Sequence, residues 1–339
     1  MTMTIIDSVL RAGAYANCFI IGMEFVAPEK RTIIGTVLSM FSGISGMIVG
    51  ALAWILQTWR TLDRIMNGVC LLVVAYYWLL PESARWLLTK ERYTDVENIL
   101  QNISKTNGRH LPKETLKKLR CSSTSENIGT VRSFKELLKS PILTRRFINC
   151  SICWTICLFS YYGLTINSIA LSNNSYFDFI LTMLVEIPGN IAVYLVLHRV
   201  GKRYTLSLSF LTCGVSSLSF IFISKDLYWL QLCMYLLGKF CSAMVITIIY
   251  TLTTEIFPTR LRSSLLSSCS MFGRIGSMSA PQVPILKHYW QHLPLVLFGT
   301  TAVIASVLSL LFPETMGVPL PDTIEEAENI GNKIKSEKL

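Results

Sequence analysis

Charged residues and histidine are scarce in this chain of 339 residues. Only 15% of the residues are charged and four are histidine, whereas 51% are hydrophobic. Soluble domains carry about 25% charged residues, so a soluble enzyme is excluded. The four histidines are scattered, and we find no Ser-His-Asp, zinc or phosphate-loop arrangement. The sequence therefore indicates neither an enzyme nor a cofactor-binding protein.

Nine long apolar runs make up most of the sequence. Most of them approach the ~20 residues that a helix needs to cross a bilayer core. They lie at 9–27, 33–56, 64–80, 147–166, 176–198, 205–223, 228–251, 264–285 and 293–312. The sequence thus predicts an all-α polytopic membrane protein with nine spans in a lipid bilayer.

Acidic residues are fewer than basic ones, and the net charge is +10. Five segments hold 24 of the 31 Lys and Arg residues: 28–32, 82–146, 199–204, 252–263 and 313–339. Because positive segments stay cytoplasmic, the C-terminus is predicted to be cytoplasmic and the N-terminus outside. The charge indicates topology beside anionic lipid, and no nucleic-acid partner is expected.

Ten cysteines are present, nine of them within or at the ends of the apolar runs. Cys150, Cys153 and Cys157 share one helical face, but no His or carboxylate joins them. Zinc sites normally have four ligands. We therefore interpret these cysteines as packing residues and expect no metal site.

A repeat with an offset of 231 residues relates two parts of the chain. Residues 24–31 resemble 255–262, and Met-Phe at 40–41 matches Met-Phe at 271–272. Parallel repeats build transporters from two helix bundles around a central site. The second copy has four runs at or before its glutamate, but the first has one. We infer that three helices of the first bundle are missing from this chain.

This count divides the chain into four predicted parts. A three-span remnant of the N-terminal bundle covers 1–81, and a cytoplasmic loop with short amphipathic helices covers 82–146. A six-helix C-terminal bundle covers 147–312 and a cytoplasmic tail covers 313–339. One amphipathic stretch of the loop is Asp95 to Ile103.

Six short strings are distinctive: PESARWLL at 81–88, CW with YYGL at 153–164, Glu186-x-Pro188, GK at 238–239, TEIFPTRLR at 254–262 and PETMGVPLPDTIEEAEN at 313–329. Together they resemble the organic cation, organic anion and carnitine transporter branch of the major facilitator superfamily. The resemblance implies the twelve-helix major facilitator fold around a central polyspecific site, here lacking the first three transmembrane helices. The family's D-R-x-G-R-R turn has His instead of Asp, at 198–203.

Three charged residues, Glu186, Lys239 and Arg274, lie about ten residues into apolar runs. An ionised group at that depth costs ~2.5 to 3.5 kcal/mol, so it is expected to face a partner or a wet cavity. Pairing Glu186 with one cation leaves the other for a substrate carboxylate. The alternative is that the three residues only satisfy one another across packed helices.

The resemblance adds an expectation about the substrate. Anion and carnitine transporters of the branch carry Arg at the position of Arg274, where cation transporters carry Asp. Cation and carnitine transporters carry Glu at the position of Glu186, and anion transporters often carry Lys where Asn190 stands. This combination predicts a zwitterion or a small carboxylate. Tyr161 and Tyr162 are candidates to attract a quaternary ammonium, or else belong to an interfacial belt of tyrosines.

A second charged set lies at the cytoplasmic ends of the runs. Ion pairs that form in one state and break in the other would make an inner gate, whereas a static clasp is the alternative. The set comprises Glu24, Arg31, Glu82, Arg199, Arg203, Glu255, Arg262 and Glu314.

These features predict a plasma-membrane carrier of small organic ions that works by alternating access, in truncated form. A full-length transporter chain is a candidate partner, because it would cover polar surface left by the missing helices. Two alternatives stay open: a truncated, non-transporting membrane protein and an organic cation transporter.

Overall fold

A computed structural model describes residues 31–71, 82, 87, 92–108, 140–168, 174–223, 227–258, 261–316, 321 and 324–330. Every regular element among these residues is helical, which confirms the predicted all-α class. In chain order the elements are α1 (Arg31–Leu56), α2 (Trp59–Leu71), α3 (Tyr93–Thr106), α4 (Pro141–Asn167), α5 (Ser175–Leu184), α6 (Glu186–Val200), α7 (Lys202–Ser219), α8 (Tyr228–Ile256), α9 (Arg262–Ser279), a 3₁₀ helix (Ala280–His288), α10 (Leu293–Ser309) and α11 (Ile324–Asn329).

Four stretches of the described residues are long and apolar enough to cross a membrane. They cover 33–56, 141–167, 175–197 and 228–256, with lengths of 23 to 29 residues. At 1.5 Å per residue, each reaches the ~30 Å of a bilayer core. They coincide with four of the predicted runs. The count of nine spans stays a prediction, because the first run lies outside the described residues.

Prolines explain where two predicted runs depart from single helices. The fifth run forms α5 and α6, which meet at Val185. Pro188, one turn later, has no N–H to continue the helical hydrogen bonds of α5. The eighth run forms α9 and then the 3₁₀ helix, which contains Pro281 and Pro284. These prolines therefore coincide with a change of helix type or with a helix junction.

The chain forms two compact units, one of residues 1–35 and 56–129 and the other of residues 36–55 and 130–339. The first unit contains α2 and α3, and α3 includes the amphipathic stretch predicted in the loop. Val96 is the buried residue of α3 at 2% exposure. The four-part division made from the sequence stays a prediction.

The second unit has an aromatic core. Among its most buried side chains are Trp154, Phe210, Phe257 and Phe298. Helix α9 lies directly against α4, because a Cβ atom on Gly276 would come 2.1 Å from the carbonyl oxygen of Thr155. Only glycine permits such a close backbone approach. This core holds α4, α6 and α8, the helices that carry most of the candidate site.

Candidate functional site

A fully buried ion pair joins α6 to α8. Lys239 Nζ lies 2.8 Å from Glu186 Oε1, and the two side chains are 0% and 4% exposed. The pairing of Glu186 with one of two cations was a prediction from the sequence, and the partner is Lys239.

Two residues of α4 complete the surroundings of the lysine. Lys239 Nζ donates to Thr165 Oγ1 at 2.6 Å and lies 3.5 Å from the centroid of the Tyr161 ring. Thr165 in turn donates to the carbonyl oxygen of Tyr161 at 2.7 Å. A desolvated cation over an aromatic face gains about 2 kcal/mol or more. The ammonium is therefore held by a carboxylate, a hydroxyl and a ring, which together offset its burial.

The two tyrosines predicted as an aromatic wall differ in their surroundings. The rings of Tyr161 and Tyr162 meet edge to face at 5.2 Å. The face of Tyr161 is occupied by the chain's own cation, Lys239. Tyr162 is 37% exposed. The structure thus places Tyr161 in the buried cluster and Tyr162 at its exposed edge.

A neutral hydrogen bond lies next to the ion pair along the same two helices. Thr247 Oγ1 donates to Asn190 Oδ1 at 2.7 Å, and both residues are buried. Asn190 follows Glu186 by one turn of α6, and Thr247 follows Lys239 by about two turns of α8. Asn190 was singled out from the sequence, but its partner Thr247 was not.

Arg274 is separate from this cluster. It lies on α9, and its side chain is exposed. Its backbone carbonyl oxygen accepts a hydrogen bond from Ser277 Oγ at 2.9 Å. Among the described residues Arg274 forms no ion pair. Of the three charged residues predicted inside apolar runs, Glu186 and Lys239 form a neutralised pair, and Arg274 lies outside it.

Buried polar residues that the sequence interpretation did not single out lie towards the other end of α8. Tyr235 donates its hydroxyl to the carbonyl oxygen of Leu164. Asp178, on α5, is 1% exposed. Asp178 precedes Glu186 in the same apolar run. The rule that draws attention to any ionisable group inside a span would have identified it.

The charged set at the helix ends is partly brought together. Lys202 Nζ forms an ion pair with Glu255, with side chains 16% and 20% exposed. Glu314 accepts from the backbone N–H of Lys202 at 3.0 Å and of Arg203 at 3.2 Å. A carboxylate is stabilised there because helix α7 begins at Lys202 with unsatisfied N–H groups.

Gly201 makes room for this carboxylate. Its φ is +90°, and a Cβ atom at this position would come 2.8 Å from Glu314 Oε2. The glycine of the basic turn therefore serves both the backbone conformation and the approach of Glu314. Lys202, which forms the ion pair with Glu255, belongs to the same basic turn at 198–203.

The other predicted gate residues are dispersed. Glu82, in the first unit, lies 3.6 Å from Arg92 at a highly exposed position. Arg199 is exposed near the end of α6, and Arg262 begins α9 partly buried. Glu24 and the side chain of Arg31 lie outside the described residues. In the part of the chain that the structure describes, no group of three His, Cys, Asp or Glu side chains is arranged to hold a metal ion.

Comparison with known sequences gives one family and many relatives. The Major Facilitator Superfamily matches residues 1–281. The chain is 33% identical to an organic cation transporter protein of Drosophila melanogaster, over 95% of this chain and 60% of the relative. It is 32% identical to solute carrier family 22 member 1 of Oryctolagus cuniculus, over 98% and 60%. The chain thus spans about 60% of the length of these curated relatives.

Solved structures show the same fold. The proton:xylose symporter XylE, bound to 6-bromo-6-deoxy-D-glucose, superposes with a TM-score of 0.67 at 17% identity, over 91% of this chain and 69% of that one. An inward-open structure of the xylose transporter XylE from E. coli gives a TM-score of 0.65 at 16% identity, over 91% and 68%. At this identity the likeness establishes the fold and nothing about the ligand.

Proposed function

The chain belongs to the Major Facilitator Superfamily, in its organic cation, organic anion and carnitine transporter branch, and from this premise we propose that it transports small organic ions across a membrane by alternating access. The substrate class proposed is a small carboxylate or a zwitterion of the carnitine type. The chain is a multi-pass membrane protein, and the plasma membrane is its proposed location. The N-terminus is proposed to be outside and the C-terminus cytoplasmic, following the distribution of Lys and Arg.

The proposal about the substrate rests on the charges of Glu186, Lys239 and Arg274. Glu186 is neutralised by Lys239 at 2.8 Å, so it does not offer a net negative charge to a cation. Arg274 is exposed and forms no ion pair among the described residues. Its guanidinium can hold a carboxylate by two parallel hydrogen bonds. Because the Glu186–Lys239 pair is neutral, the guanidinium of Arg274 favours an anion or a zwitterion as the substrate.

The cationic end of a zwitterion also has candidate contacts. Tyr162 is partly exposed beside Tyr161, and an aromatic face attracts a quaternary ammonium. Glu186 is paired with Lys239, and its carboxylate would meet the cationic end of a ligand by exchanging that contact. Asn190 lies one turn along α6 from that carboxylate. These residues form the proposed second half of the binding site.

The cytoplasmic gate is proposed to include the ion pair of Lys202 with Glu255 and the contact of Glu314 with the start of α7. Both are partly exposed, so water can replace the partners when the contacts break. Two arrangements of such contacts would give alternating access its two states. The static clasp is the alternative for this cluster.

Two other functions compete with this proposal. Curated relatives named organic cation transporters, such as the Drosophila melanogaster protein, favour a cation as the substrate. A non-transporting membrane protein, or one that associates with a full-length transporter chain, is the second alternative.

Uptake measurements separate these possibilities. Cells that express the chain would be given labelled carnitine, a small monocarboxylate or tetraethylammonium, with surface expression measured in parallel. We expect uptake of carnitine or the carboxylate, a loss of roughly tenfold or more in Arg274→Ala, and partial retention in Arg274→Lys, because a point charge replaces the bidentate contact.

Each other outcome selects one alternative. Uptake of tetraethylammonium alone, unaffected by Arg274→Ala, would identify a cation transporter. No uptake of any of the three compounds at normal surface expression would identify a non-transporting chain. The variant Arg274→Asp is the matched test of charge, because it should lower carboxylate uptake further than Arg274→Ala.

A further inference from the structure

Helix α11 is held against the first turns of α4 by an arginine. Arg146 donates to the carbonyl oxygens of Ala327, of Glu328 at 3.2 Å and of Ile330 at 3.1 Å. These carbonyls belong to the C-terminal end of α11, where helices leave acceptors unsatisfied and favour a cation. Ala327 and Ile330 are 0% and 5% exposed. Residues 324–330 therefore form a clasp on α4, here called the tail clasp.

A serine supplies the second hold on the tail clasp. Ser140 is the N-cap of α4, and its Oγ accepts from the backbone N–H of Leu143 at 3.2 Å. The same hydroxyl donates its proton to Glu328 Oε1. A neutral hydroxyl can do both at once, because it is a donor and an acceptor. The contact with Glu328 depends entirely on that one proton.

Once the tail clasp is open, the extended backbone of Ser140 and the proline after it would suit a segment recognised by a kinase. Ser140 is extended, with φ −93° and ψ 110°, and Pro141 follows it at the first position of α4. A residue before proline is confined to such extended conformations. The segment carries further positive charge, with Lys139 before it and Arg145 after it. It belongs to the basic part of the chain expected in the cytoplasm, where ATP is available.

We propose that Ser140 is a phosphorylation site whose modification releases the tail clasp from α4. Ser140 Oγ attacks the γ-phosphorus of ATP, ADP leaves, and the hydroxyl proton passes to the base of the kinase. The product accepts hydrogen bonds but no longer donates the one that Glu328 received.

The charges around Ser140 convert the loss of its hydrogen bond to Glu328 into release of the tail clasp. The phosphate keeps the bond from Leu143 N–H, because anions are stable at a helix N-terminus. It repels the carboxylate of Glu328, and it attracts Arg146, the residue that holds the α11 carbonyls. Both holds on the tail clasp are therefore weakened by one modification. Ser140 is 6% exposed with the clasp in place, so the kinase acts on the open form.

A matched pair of variants tests the charge step. Ser140→Asn and Ser140→Asp both cap a helix well, but only Asn can still donate to Glu328. Hydrogen exchange of residues 324–330 would be measured on the purified full chain in lipid nanodiscs. We expect exchange in Ser140→Asp to be on the order of tenfold faster than in Ser140→Asn, since a hydrogen bond to a charged group is replaced by repulsion.

A second change shows whether Glu328 is the group responsible. Adding Glu328→Gln to Ser140→Asp removes the repulsion and restores a donor, so slow exchange should return. Equal exchange in the Asn and Asp variants, or no recovery on adding Glu328→Gln, would overturn the proposal. The measurement does not require transport, so its failure is distinct from failure of the proposed function.

The modification itself is tested with a proline-directed kinase and ATP. Phosphate on Ser140 would be located by mass spectrometry in the unmodified chain, in Ser140→Asn and in Arg146→Gln. We expect faster phosphorylation of Ser140 in Arg146→Gln, where the tail clasp is loosened, and none at position 140 in Ser140→Asn. Absence of phosphate at Ser140 in Arg146→Gln as well would refute its role as a kinase site.

Discussion

Two lysine–glutamate pairs occur in the same unit in very different surroundings. The side chains of Lys239 and Glu186 are 0% and 4% exposed, whereas those of Lys202 and Glu255 are 16% and 20% exposed. Removing one partner of a buried ion pair lowers the free energy of unfolding by about 3 to 5 kcal/mol, because the remaining charge is left desolvated and unpaired. Exposed ion pairs contribute roughly 0 to 1 kcal/mol to the free energy of unfolding. The inner pair is suited to a permanent or ligand-exchanged contact, and the outer pair to repeated opening.

The largest effect is expected from breaking the inner pair. Glu186→Gln leaves the ammonium of Lys239 without its carboxylate in a site that water does not reach. We expect the free energy of unfolding to fall by about 3 to 5 kcal/mol, measured by thermal or denaturant unfolding in detergent.

The control for this variant removes both charges. Glu186→Gln combined with Lys239→Met should recover most of the lost stability, because a buried pair is often replaceable by neutral side chains. A single variant as stable as the native chain would mean that the ammonium finds another anion or gives up its proton. The buried pair would then not contribute more to stability than the partly exposed pair of Lys202 and Glu255.

A smaller effect is expected from the ring below Lys239. Tyr161→Leu removes the aromatic face that lies 3.5 Å from Nζ, whereas Tyr161→Phe keeps it. We expect a loss of roughly 1 to 2 kcal/mol in the leucine variant and a distinctly smaller loss in the phenylalanine variant, by the same unfolding measurement. Equal losses in both would assign the contribution to the tyrosine hydroxyl and not to the ring.

Around the buried Glu186–Lys239 pair, the sequence indicated the two charged residues, Tyr161 and Asn190, but not the two threonines. Glu186 and Lys239 are conspicuous because a charge inside an apolar run is costly. Thr165 and Thr247 are not, since threonine is common in membrane helices and gives no signal until its neighbour across the interface is known. Which cation pairs with Glu186 was likewise open, because that choice depends on how α8 and α9 are rotated against α6.

The fold was predicted more completely than the site, for a physical reason. Apolar runs report the length of helices directly, because the bilayer sets that length. Helix junctions such as Val185 follow from proline chemistry once Pro188 is noticed. The charged set at the helix ends was only partly foreseen: Glu255 was expected in the gate, but its partner could not be read from the sequence, and the structure shows that it is Lys202.

The smallest effect on stability is expected from the outer pair. Lys202→Ala should lower the free energy of unfolding by about 1 kcal/mol or less, because both side chains are already partly hydrated. Its effect on conformation should be larger than its effect on stability. If this cluster is the proposed gate, hydrogen exchange at the start of α7, where Lys202 and Arg203 donate to Glu314, should become faster because the gate opens more often.

Exchanging the two charges sharpens this test. Lys202→Glu with Glu255→Lys preserves an ion pair at the same place and should return exchange at the start of α7 towards the native rate, while either single reversal should not. A static clasp predicts a different result, since local exchange would then change only as much as global stability does. The inner pair offers the reference: reversing Lys239 and Glu186 together should fail to restore stability, because Thr165 and Tyr161 are arranged around a cation on α8.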